Sequence, residues 1–164
     1  MIDDSTAHRP ADARTSVPRT PLLLGLAGLL PQLWAVTLLL FGNPEARFTA
    51  LALAFAYAAL ILSFLGGIWW GMAAQARNAA AVPNWVWVAA VLPSLIALGS
   101  AIPWAVGARW PGPSLVLLGL AVLASLLIDR RLVRQALAPP WWMALRIPLS
   151  IGLGGLTVAI GLMA

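Results

Sequence analysis

The chain contains no cysteine, no lysine and a single histidine, His8. The missing cysteine excludes disulfides, thiol catalysis and Cys-ligated metals or clusters. With His8 alone in a polar amino-terminal stretch, a haem or metal site built on histidine inside a membrane has no ligands. Acidic side chains number five, and charged residues make up 9% of the 164. A soluble domain carries about 25%. So small a share of charge is hard to fit to a water-facing surface and is expected of a lipid-facing one.

Apolar residues fill the space that charge leaves. Hydrophobic types make up 62% of the chain, and the mean hydropathy is +0.91. The formal charge of +5 does not point to nucleic acid. The ten basic residues are all arginines scattered between apolar runs, and they form no basic face. They read as topology signals instead.

Residues 1–20 form a polar segment with three aspartates and two prolines. It is expected to be a disordered tail on the cytosolic side. Five apolar runs follow, at about 21–42, 48–76, 84–104, 114–128 and 143–163. The fold class implied is all-α: a polytopic membrane protein built as a bundle of five transmembrane helices. Pro31 and Pro93 fall inside the first and third runs and should kink them. The segments around them, Leu30-Pro31-Gln32-Leu33 and Leu92-Pro93-Ser94-Leu95, match at an offset that allows a parallel duplication of hairpins. With the amino terminus inside, eight arginines lie on the cytosolic side and two outside. This places the protein in the cell inner (plasma) membrane, amino terminus cytoplasmic and carboxyl terminus outside.

The second run holds Ser-Phe-Leu-Gly-Gly-Ile-Trp-Trp-Gly at 63–71. Ala59, Ser63, Gly67 and Gly71 recur every four residues, with Gly66 beside them. On a helix they form a stripe of small side chains on which another helix can pack closely. The glycine-rich fifth run is its natural partner, and a leucine at 67 or 71 is expected to disrupt the bundle. Gln32, Ser63 and Ser94 are candidates to line a cavity between the kinked spans. Trp69, Trp70, Asp129, Arg130, Arg131, Trp141, Trp142 and Arg146 lie near run ends and are expected at the membrane interface. Asp129 is well placed for a partner on another helix.

Tyr57 to Gly71, Y-A-A-L-I-L-S-F-L-G-G-I-W-W-G, resembles the signature of an uncharacterised integral membrane family, of the domain of unknown function 3429 / transmembrane protein 69-like type. Leu92-Pro93-Ser94-Leu95, Ile128-Asp129-Arg130-Arg131 and Pro140 to Arg146 extend the resemblance, which covers roughly Pro18 to the end. Family members often carry a polar or basic residue where Trp69 stands, and a tyrosine where Trp142 stands. The resemblance implies a multi-span fold and no established activity.

No charged residue falls in the middle of a run. No carboxylate pair, Ser-His arrangement, phosphate-binding loop or metal-ligand cluster is present. Catalytic residues, cofactors and metals are therefore expected to be none. The function expected is that of a non-catalytic structural or accessory/assembly factor. Its partners would be the lipid bilayer and another membrane protein or a second copy of the chain, with no nucleic acid. The alternative is a small-molecule or lipid-like ligand carrier or receptor.

Overall fold

A computed structural model describes residues 16–164, and the described residues are helical with short connections. Six α-helices follow in order among the described residues: α1 (Arg19–Ala27), α2 (Leu30–Phe41), α3 (Pro44–Ala74), α4 (Asn84–Ala105), α5 (Gly112–Arg134) and α6 (Trp142–Met163). Helices α1 and α2 together form one span, so five spans are long and apolar enough to cross a membrane. Most of the amino-terminal tail lies outside the described residues. Its last part is helical, since α1 already begins at Arg19.

The first span breaks at Gly28–Leu29. Pro31 has no N–H to give the carbonyl one turn back. At the break, the Tyr57 hydroxyl of α3 donates to the Gly28 carbonyl at 2.6 Å. Tyr57 thus satisfies a carbonyl at the break, next to that of Ala27, which the proline leaves without its donor. Pro93, by contrast, lies within an unbroken α4, so only the first span is interrupted near its proline.

Helix α3 starts sharply. Asn43 caps it by accepting from the Ala46 N–H at 2.8 Å, Pro44 occupies the first turn, and Glu45 lies beside the helix amino terminus. At 31 residues it is about 46 Å long, more than the ~30 Å hydrocarbon core requires. Near its start, the Arg47 guanidinium donates to the Met163 carbonyl at the end of α6.

The α5–α6 pair packs most closely. Gly112 and Gly119 on α5 are seven residues apart, as are Gly154 and Gly161 on α6. Seven residues make almost two turns, so each pair shares one face. A Cβ on Gly119 would lie 2.7 Å from the Gly154 carbonyl oxygen, and one on Gly161 would lie 2.9 Å from that of Gly112. The helices are antiparallel, and backbone meets backbone at both points. The partner of the glycine-rich last span is therefore α5, not the small stripe of α3.

The small residue that matters for α3 is Gly66. A Cβ there would lie 2.3 Å from the Ala90 carbonyl oxygen of α4. Gly67 and Gly71 point away from the bundle, with none of the described residues within 4 Å of an added Cβ. The expectation of a buried stripe is corrected by one residue, or about 100° around the helix.

The core is aliphatic in the middle, with Leu62, Leu118 and Val122 fully buried. At the end where α3 finishes and α4 begins, it includes Trp69, Leu132, Trp142 and Leu145. This end also carries Arg77, Arg130, Arg131 and Arg134, and is the Arg-rich end. Trp110, at the opposite end, packs edge-on against Phe55, with ring centres 5.3 Å apart.

Candidate functional site

Helix α5 runs six residues past Ile128, and that extension brings Asp129 inside the bundle. Ser125 and Asp129 lie one turn apart on α5. Trp142 and Arg146 lie one turn apart on α6. Each pair therefore shares a face, and the two faces meet. Trp69 arrives from α3.

The Asp129 carboxylate is fully buried and accepts three hydrogen bonds. Its Oδ1 accepts from the indole Nε1 of Trp69 at 2.9 Å and of Trp142 at 2.8 Å. Its Oδ2 accepts from Arg146 Nε at 2.8 Å, which forms a buried ion pair. Arg146 Nη2 donates to Ser125 Oγ at 2.9 Å, and Ser125 in turn donates to the Val122 carbonyl at 2.6 Å. Three helices are joined through one carboxylate.

These positions correct the interfacial expectation in part. Trp69, Asp129, Trp142 and Arg146 are buried, whereas Trp70, Arg130 and Arg131 are exposed and Trp141 is half-buried. The helix twist explains the division. Residues 129 and 146 face the neighbouring helix, and residues 130 and 131 are turned away from it by about 100° and 200°. An isolated ion in lipid costs several kcal/mol, so such a pair persists only when its charges and hydrogen bonds are mutually met. Around Asp129 they are met by this chain's own side chains.

A second polar cluster ties α2 to α3 and α6. Gln32 Nε2 donates to the Ala54 carbonyl and to Thr157 Oγ1, both at 3.0 Å, and Thr157 donates to the Leu153 carbonyl at 2.7 Å. Gln32 is fully buried, Ser63 half-buried and Ser94 exposed. The structure does not bring these three together, so the cavity expected among them is not formed by them. Gln32 is instead a tie between helices.

A cavity of about 290 Å³ lies elsewhere, between α3, α4 and α5. Pro93 and Ile96 contribute to one wall, and Ala124 and Ile128 to another. The Trp69 ring and Ser125 line it as well, so the cavity lies against the far side of the Asp129 network. Among the described residues, no group of three or more His, Cys, Asp or Glu side chains gathers to hold a metal.

Sequence reasoning named Trp69, Asp129, Trp142 and Arg146 and offered Asp129 a partner on another helix, but placed all four at the membrane interface and did not link them to one another or to Ser125. The signal that could have found the site is the pair of four-residue spacings, 125/129 and 142/146, on two consecutive spans with a short connection.

A family model matches this chain along nearly its whole described length. The family described as "Protein of unknown function (DUF3429)" matches residues 17–163. Transmembrane protein 69 of Xenopus tropicalis is 42% identical over 77 residues, an alignment that covers 45% of this chain and 28% of that protein. The chain thus aligns with less than a third of that relative's length. No solved structure matches. The chain belongs to the DUF3429 family.

Proposed function

We propose that this DUF3429 member, a multi-pass membrane protein, is a non-catalytic structural or accessory/assembly factor. The observation that carries the reading is the enclosure of its charged pair. Asp129 is fully buried, and its oxygens are bonded to Trp69, Trp142 and Arg146. Side chains that an enzyme or an ion-coupled carrier would turn toward a substrate here hold α3, α5 and α6 together. Function then belongs to the outer surface, in contact with lipid and with another membrane protein or a second copy, and nucleic acid has no part in it.

The outward face of α3 supports this reading. Gly67 and Gly71 leave room beside the helix that none of the described residues fills, and small faces let helices approach in lipid. The location we propose is the inner (plasma) membrane, with the Arg-rich end in the cytosol.

The chain's lack of cysteine makes the test direct. A lone cysteine at Gly67 should crosslink in native membranes to one stoichiometric partner, whose mass tells a second copy from another protein. A cysteine at Leu98, exposed on α4, is the control. If Gly67→Cys gives no more adduct than Leu98→Cys, the open face of α3 is not a docking face.

A second reading, a lipid-like ligand carrier or receptor, is favoured by the cavity of about 290 Å³. It puts the ligand between α3, α4 and α5, away from Gln32, at the lower edge of the size range of small-molecule sites.

A further inference from the structure

The seam between α4 and α5 holds two hollows, one above the other. The deeper is the apolar cavity already described, walled on this side by Leu92 and Ile96 of α4 and by Ala124, Leu127 and Ile128 of α5. The other, of about 320 Å³, is lined by Trp85, Arg131, Arg134 and Gln135. Trp85 and Ala89 are four residues apart, and Ile128 and Arg131 are three apart. The hollows are thus separated by about one helical turn, ~5.4 Å, along both walls.

The upper hollow is cationic. Arg131 is drawn across the seam, its Cζ 5.9 Å from the centre of the Trp85 ring. Neither Arg131 nor Arg134 has a carboxylate among the described residues. Asp129 is turned the other way and paired with Arg146, and Glu45 lies at the opposite end of the bundle. Two exposed guanidinium groups and an indole thus stand directly over an apolar slot open to the bilayer.

We propose that this seam binds one anionic phospholipid, with its phosphate between Arg131 and Arg134 and one acyl chain in the slot between Pro93 and Ala124. The shape and charge select this occupant. A zwitterionic lipid would bring a cation of its own beside the two arginines, and a free phosphate would leave the slot empty. Basic pockets between spanning helices at the cytosolic face hold anionic headgroups by this means, and tryptophan is at home at headgroup depth. The proposal rests on the second reading above, that the slot is a ligand site, and adds the class of ligand.

The test is native mass spectrometry of the full chain in detergent, titrated with phosphatidylglycerol and, separately, with phosphatidylcholine. Phosphatidylglycerol should bind more tightly. Arg131→Gln with Arg134→Gln should weaken it about thirtyfold, from roughly fivefold for each arginine near a headgroup, and should level the two lipids. Ala124→Phe, which fills the slot from an exposed position, should weaken both. If the two lipids bind the unaltered protein equally, the anionic class is wrong. The slot still stands as a ligand site if Ala124→Phe lowers both, and falls as one if it lowers neither. Equal competition by soluble glycerol phosphate would overturn the lipid assignment. Circular dichroism of each variant checks the fold, and the comparison of lipids on the unaltered protein needs no variant.

Discussion

Asp129 and Arg146 are each untenable alone and stable together. Neutralising one should therefore do more harm than removing both. Asp129→Asn leaves the Arg146 guanidinium buried without its counter-ion, and should cost about 3–5 kcal/mol. The pair Asp129→Asn with Arg146→Gln removes both charges, keeps an amide oxygen for the Trp69 and Trp142 indoles, and should recover most of that loss. Unfolding midpoints in detergent measure both, and a double variant no more stable than Asp129→Asn would contradict a purely structural ion pair. Both residues stand out in the sequence as charges beside apolar runs. Their pairing does not, because a hydropathy boundary stops at the first charge and so ended the fourth run at Ile128. The helix itself continues to Arg134, since its backbone bonds do not depend on the polarity of its side chains. Trp69 was harder still. Its indole is amphipathic and fits an interfacial belt as well as a buried donor, and only the approach of α5 decides between them.

At the scale of the helix, the glycines of α3 make opposite predictions for neighbours in sequence. Gly66→Leu drives a side chain into the Ala90 carbonyl of α4 and should destabilise by about 1–3 kcal/mol or more. At Gly67 an added Cβ has none of the described residues within 4 Å, so Gly67→Leu should leave stability within about 0.5 kcal/mol. Thermal unfolding in detergent distinguishes them, and equal losses would put α3 in a different rotation from that seen. The four-residue stripe was legible, but the direction it faces was not. In a helix that is apolar all round, no polar face marks the outside, and one residue's shift turns the stripe by about 100°. Helices α5 and α6 left a better trace, since the seven-residue spacing of Gly112/Gly119 and Gly154/Gly161 recurs on both partners.

For the molecule as a whole, the number of spans follows from composition, because four of the five apolar runs are long enough to cross, the fourth reaches that length once its helix is carried past Ile128 to Arg134, and each is bounded by polar or proline-rich residues. How the spans are arranged side by side does not follow, since lipid rewards no particular apolar contact. Orientation is a matter of charge alone. A reporter active only in the cytosol should work when fused to the amino terminus and fail after Ala164. The reverse pattern would overturn the arginine-based orientation, and with it the cytosolic placement of the Arg131–Arg134 hollow.

The Asp129 network also bears on biogenesis. Chains are made from the amino terminus, so Trp69 is in place before Asp129 exists, and Asp129 is in place before Trp142 and Arg146 are made. Seventeen residues separate Asp129 from Arg146, so that pair closes locally as the last hairpin forms. Until it does, α5 presents an uncompensated carboxylate in the membrane. A product truncated after α5 would carry that carboxylate permanently, at the cost of several kcal/mol of an unpaired ion in lipid.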